Sequence, residues 1–145
     1  MHERIGALIK DNDICVLATV AGTTPHCSLM SYAAAGDGTE IYMVTHNNTK
    51  KFNNLEGNPK VCLLIDSRET DRGERRQRAK ALTVTGTYEK VEDDPKRGEI
   101  RRRLLDRHPH LKDFIDDPQA RFILVRVKAF QLLEGVVDAY CEEVN

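Results

Sequence analysis

No run of apolar residues approaches the roughly 20 that a membrane-spanning helix needs, so no helical membrane span is expected. The opening Met1-His2-Glu3-Arg4-Ile5 lacks the charged-then-apolar arrangement of a secretory signal, which makes a reducing cytoplasm the expected compartment. There is no excess of charge of one sign: 22 Lys and Arg stand against 23 Asp and Glu, a net of -1. A nucleic-acid binder is normally clearly basic, so no nucleic-acid partner is expected. The four cysteines, Cys15, Cys27, Cys62 and Cys141, form no C-x-x-C pair. The first three lie in apolar strand patterns, where a free cysteine behaves as a small buried hydrophobe, and no metal site is expected. What remains is an ordinary globular composition, 40% hydrophobic and 31% charged over 145 residues. That length implies one domain, 1–145, able to bury a core without disulfide or metal staples.

The hydrophobic periodicity changes along the chain. Residues 2–12 put Ile5, Leu8 and Ile9 on one helical face before Asp11-Asn12-Asp13 stops the helix. Ile14 to Ala21 is an apolar run of strand length, and Gly22-Thr23-Thr24-Pro25 is turn chemistry. From His26 the pattern alternates, with His26, Ser28, Met30 and Tyr32 on one face and Cys27, Leu29 and Ser31 on the other. Gly36-Asp37-Gly38 turns the chain into the strand Ile41 to Thr45. Lys50 to Glu56 reads as a short helix, and Val61 to Ile65 as a buried strand. Residues 68–80 hold five Arg, one Lys, two Glu and one Asp, which predicts a loop or an exposed strand extension. Ala81 to Tyr88 alternates strictly, as a half-buried antiparallel strand does. Asp94-Pro95 predicts a helix start, with the Asp as cap, and Ile100, Leu104 and Leu105 form its stripe until Pro109. A short helical piece with Leu111, Phe114 and Ile115 follows, then a long strand from Arg121 to about Leu133. Six strands without a repeated βαβ unit predict a mostly β fold: an antiparallel closed or split β-barrel with peripheral helices.

One stretch carries chemistry. The strand ending Val44-Thr45 runs into the polar loop His46-Asn47-Asn48, and a helix begins at Thr49-Lys50-Lys51. A helix start offers unpaired N–H groups and the positive end of the dipole, which favour an anion. Two hydroxyls and two ammonium groups would make a phosphate cradle there; equally, Thr49 alone would cap the helix while the lysines stay solvated. His108 and His110 flank Pro109 with no third metal ligand near, which reads as a helix-end turn. The arginines between 72 and 80 read either as a phosphate patch beside a bound nucleotide or as a solvated rim.

The order of these features resembles the pyridoxamine 5′-phosphate oxidase-like family of flavin-binding split barrels. The resemblance is carried by Leu17-Ala18-Thr19-Val20, Pro25 to Tyr32, Ile41 to Thr45, Thr49 to Leu55, Asn58-Pro59-Lys60-Val61 and Leu82 to Thr87. His108-Pro109-His110 and Phe122 to Val127 extend it, so it covers roughly 14–130. It implies an FMN cofactor whose ring lies along Ser28, Leu29, Met30 and Ser31. The ribityl chain and phosphate would lie beside Val44 and Thr45, with the phosphate held by Thr49, Lys50 and Lys51. Lys80, Ala81 and Leu82 would reach the flavin of the other subunit of a homodimer. The resemblance also implies hydride or electron transfer to an unidentified small molecule, with no catalytic residue nominated. Pyridoxamine phosphate oxidase itself is not matched. Ala81 replaces a glutamine of that enzyme, and Leu132-Leu133-Glu134-Gly135-Val136-Val137-Asp138 with its acidic tail contains none of its C-terminal Trp and Arg residues. A deazaflavin in the same cleft, haem on His108 or His110, and a non-catalytic flavin carrier or redox sensor are the alternatives.

Overall fold

The computed structural model describes residues 1–135 and 138–145. All six expected strands are there: β1 (Ile14–Ala21), β2 (Thr24–Ser31), β4 (Glu40–His46), β5 (Lys60–Asp66), β6 (Lys80–Glu89) and β7 (Ala120–Glu134). Two more join them. β3 (Ala33–Ala34) is a two-residue continuation of β2, and β8 (Asp138–Glu143) turns the acidic tail into a strand paired with the end of β7. Within the tail segment, Val136 and Val137 lie outside the described residues.

The strands form one antiparallel sheet in the order β2-β1-β5-β6-β7-β4-β3. Because β2 and β3 are one stretch of chain, the two ends of that order meet, and the sheet curls into a split barrel. The junction is Tyr32. Up to Ser31 the chain pairs with β1, beginning at Ile14↔Ser31, whereas from Ala33 it pairs with β4, through Ala33↔Tyr42 and Ala34↔Ile41. Tyr32 itself is fully buried, and its N–H donates to the Asp13 carbonyl at 3.0 Å. Its hydroxyl hydrogen is shared between the carbonyls of Ile9, at 2.6 Å, and Asn12, at 2.8 Å. The His108 Nε2–H donates to the Tyr32 carbonyl at 2.8 Å, and the Arg107 guanidinium lies 5.2 Å from the Tyr32 ring centre. Arg107 also donates to the carbonyls of Lys10 and Asn12, which satisfies the end of the first helix.

That helix, α1 (Glu3–Asp11), plugs the barrel with the expected Ile5, Leu8 and Ile9. Inside lie Leu17, Met43, Leu63, Val84 and Phe130, each from an inward strand position. Gly86 is required by sterics, since a Cβ there would stand 2.6 Å from the Arg126 carbonyl oxygen, beside the register shift between Thr85 and Gly86. A second apolar layer forms where α3 (Asp94–Arg107) packs Ile100 and Leu104 against Tyr42, Val44 and Leu124 on the outside of the barrel. The helix begins at Asp94 as expected, but its cap is Asp93, whose carboxylate accepts from the Lys96 N–H, one residue before the expected cap. An ion cluster around the buried Glu40 pins the same helix: Lys96 donates to Glu40 at 2.5 Å, and Arg126 lies 2.8 Å from the other Glu40 oxygen. α2 (Lys50–Gly57) and α4 (Lys112–Ile115) flank the sheet, and residues 73–78 of the charged segment form a 3₁₀ turn.

The cysteine expectation holds for Cys15 alone, whose thiol is pushed up to about 12 by burial. Cys27 is exposed and Cys62 half-buried, because their strand positions face out of the barrel.

Two expected outcomes follow from these contacts. Tyr32→Phe takes the tyrosine donor from the buried Ile9 carbonyl, leaves the Asn12 carbonyl to Arg107, and lowers unfolding stability by about 1–3 kcal/mol, read as a drop in urea midpoint at unchanged slope. Burial raises the Glu40 carboxyl, but hydrogen bonds from Lys96 and Tyr42, aided by the Lys96 and Arg126 charges, outweigh it and hold the group below its ordinary 4.5. Glu40 therefore contributes stability that is present above that value and lost as pH falls below it. Glu40→Gln should be less stable at neutral pH yet decline less steeply between pH values of about 5 and 3 in the same urea titration.

Candidate functional site

The split in the barrel creates the site. Continuing the β3–β4 register past Tyr32 would set Ser31 against Val44 and Met30 against Thr45, but there β2 has already swung away to pair with β1. The two strands splay, and a cleft of about 380 Å³ opens between them. That volume is in the range of small-ligand sites. Leu29, Met30 and Ser31 form one wall, and Val44, Thr45 and His46 the other. The turn into α2 closes one end with Asn48, Thr49 and Lys51, while Leu111 and Phe114, before and within α4, cover the side.

The polar end is built by the cap of α2. The Thr49 hydroxyl accepts from the Phe52 N–H at 3.3 Å and donates to the His46 carbonyl at 3.0 Å, which fixes the turn. The Thr45 hydroxyl lies 3.0 Å from that of Thr49, so the strand end and the helix start present their oxygens together. Lys51, half-buried, brings an ammonium to the same place, and among the described residues no acidic side chain lines the cleft. The positive end of α2, two hydroxyls and an unopposed lysine make an anion end.

The other end is apolar. The His46 ring is stacked on Phe114 at 4.3 Å between centres and 6° between planes. Its Nε2 is buried and, among the described residues, has no hydrogen-bond partner, which a ligand atom in the cleft would supply. Leu29 stands at the rim, 71% exposed.

Seven of the residues expected to hold a cofactor meet here: Leu29, Met30, Ser31, Val44, Thr45, Thr49 and Lys51. Ser28 is half-buried on the inward side of β2, opposite Leu17, and Lys50 points to solvent, so neither lines the cleft. Lys80, Ala81 and Leu82 lie on β6 opposite Glu134, Leu133 and Leu132, and Ala81 and Leu82 face Asp66 and Ile65 on the other side. Leu82 is turned wholly into the barrel core, so its side chain is closed to any second subunit. His46, Asn48, Leu111 and Phe114 are the cleft residues that sequence reasoning missed. The last two read there as an amphipathic stripe, and nothing local shows that the stripe faces a loop some 65 residues earlier. His108, one of the two histidines considered for haem, is 2% exposed and holds the Tyr32 carbonyl. Among the described residues no group of His, Cys, Asp and Glu is placed to hold a metal ion, and no helix is long and apolar enough to cross a membrane.

Fold and cleft together define an antiparallel split barrel with a cleft at the β2–β4 seam, half apolar and half suited to an anion. The sequence profile described as "Pyridoxamine 5'-phosphate oxidase" matches residues 1–134, and the chain belongs to that family. No curated protein matches the sequence. Among solved structures, a heme binding protein from Mycobacterium smegmatis superposes with a TM-score of 0.84 at 20% identity, over 97% of this chain and 57% of that one. This chain thus spans little more than half of that protein. General Stress Protein 26 from Bacillus anthracis gives 0.74 at 21% identity over 98% and 97% of the two chains. A FAD-binding protein from Mesorhizobium loti gives 0.70 at 18% over 91% and 94%. At these identities the likeness is one of fold.

Proposed function

We propose that the protein is a homodimeric FMN-binding oxidoreductase whose cofactor lies in the β2–β4 cleft. The observation that carries this reading is the meeting of Leu29, Met30 and Ser31 with Thr45, Thr49 and Lys51 around one cavity with an apolar and an anion-suited end. Lys51 would set its ammonium against the phosphate. Thr45, free to rotate its hydroxyl from Thr49, would donate to a phosphate oxygen, and the exposed N-terminal turn of α2 would add its dipole. Val44 and Met30 exclude water from the middle of the cleft, being nearly buried themselves. His46 would place its Nε2 against a polar ligand atom while Phe114 holds the imidazole plane. When bound, the flavin supplies the redox chemistry, and the chain orients it.

Pairing is supported by the outer face of the sheet. Val16, Ala18, Leu29, Cys62 and Leu64 lie side by side there across β2, β1 and β5, since Ala18 is opposite Cys27 on one side and Cys62 on the other. Ile14 adds a side chain that is 43% exposed. A contiguous apolar sheet face of this kind marks an interaction surface. The cytoplasm remains the proposed compartment.

Titration of the purified protein with FMN should give a bound-flavin spectrum, and FAD, a deazaflavin and haem, run in parallel, should bind more weakly. Lys51→Ala should weaken FMN by about tenfold or more, and Lys50→Ala much less, because charge-assisted hydrogen bonds are worth roughly 1.5–3 kcal/mol. A protein that takes up no FMN, or equal effects of the two substitutions, would refute the assignment. In light-scattering chromatography the chain should run at twice its 16.4 kDa mass, and Ala18→Glu should shift it to the monomer. A natural chain that is monomeric at micromolar concentration would overturn the dimer.

A further inference from the structure

A second cleft of about 390 Å³ lies across the Leu29 ridge from the first, and Leu29 lines both. Its floor is apolar, made by the outward side chains of Val16, Leu29 and Leu64 on three adjacent strands. Its rim is the charged segment, which contributes Arg68, Glu69, Arg72 and Arg76. These cations are not equivalent. Asp66 accepts from Arg68 Nε at 2.8 Å and Nη2 at 2.6 Å, so that charge is already matched. Among the described residues Arg72 and Arg76 form no ion pair, although Asp66 and Glu69 share their rim. The rim carries three guanidinium groups against two carboxylates, and over an apolar floor that balance favours a ligand that is apolar in body and anionic at one end. A guanidinium fits carboxylate and phosphate oxygens two at a time, which a solvated lysine does not.

We infer that this second cleft binds a small amphipathic oxyanion, a flat apolar body carrying one carboxylate or phosphate, with Arg72 and Arg76 holding the charge. Its place beside Leu29 makes that ligand the reaction partner of whatever occupies the first cleft. The partner role rests on the flavin reading above; binding of the oxyanion does not. The floor also belongs to the face proposed for pairing, so the body would lie between subunits while the rim arginines hold its anionic end.

The probe is 8-anilinonaphthalene-1-sulfonate, followed by fluorescence on the full-length protein, with neutral N-phenyl-1-naphthylamine as its uncharged counterpart. R72A/R76A should weaken the sulfonate by at least about tenfold and leave the neutral compound and FMN unchanged. R72K/R76K, which keeps charge but not the guanidinium fork, should fall between natural and alanine proteins. 2-Naphthoate and 2-naphthyl phosphate, competed separately, show by which displaces the probe at lower concentration whether the anion is a carboxylate or a phosphate. Both arginines are exposed, so the variants should keep the natural urea midpoint. Equal sulfonate binding by natural and alanine proteins, equal loss of the neutral compound, or displacement by neither naphthyl anion would overturn the site. Arginine-dependent sulfonate binding in a protein that takes up no FMN would establish the site and overturn its role as a reaction partner's berth.

Discussion

The structure depends on the burial of Tyr32 at the point where one strand changes partners. A barrel closes only if its last strand finds its first, and here a single chain segment serves as both, paired with β1 before Tyr32 and with β4 after it. At the change of partner the Tyr32 carbonyl finds its donor in His108, while the Tyr32 hydroxyl and Arg107 donate to the carbonyls at the end of α1. Buried carbonyls without donors are costly, so α1, the corner and the end of α3 are held as one unit. The same change of partner prevents β2 and β4 from zipping together, and the cleft is the gap left between them.

The cleft thus owes its shape to topology and its chemistry to local sequence. Thr49 is first a helix cap; by holding the turn it also puts its hydroxyl beside that of Thr45. Lys51 reaches this end because it is the second residue of α2, whereas Lys50, one position earlier, projects to solvent. Neighbouring lysines alike in sequence are separated by the 100° that each residue turns about a helix axis. The apolar end is assembled from further away, by a phenylalanine of α4 stacked on the histidine that ends β4.

The outer sheet face gathers what the first cleft leaves over. Leu29 belongs to the flavin reading, to the face proposed for pairing and to the arginine-rimmed cleft, and its 71% exposure is the cost of that position. A residue so placed couples the three readings: a ligand on either side of the ridge alters the surface that a second subunit would meet. The charged segment is a loop closed at its base, where the Ser67 hydroxyl donates to Asp71 at 2.7 Å and accepts from the Lys80 N–H at 2.8 Å.

Strands, helices and turns were legible in the sequence because each rests on short-range rules: alternation in β2 and β6, the 3.6-residue stripe of α1, and turn chemistry at Gly36-Asp37-Gly38. The two added strands were not. β3 is only two residues long, and β8 is polar enough to read as tail; both exist because a neighbouring strand offers them an edge. By itself the sequence determined the two faces of the alternating strands β2 and β6 and the helix start at Thr49, since both follow from backbone periodicity and helix capping. Only the tertiary structure decided that the barrel closes at Tyr32, that His108 braces that corner, and that Phe114 meets His46. It alone set Arg72 and Arg76 over an apolar floor. These depend on contacts between residues tens of positions apart, and no local pattern encodes which distant partner a buried group will find.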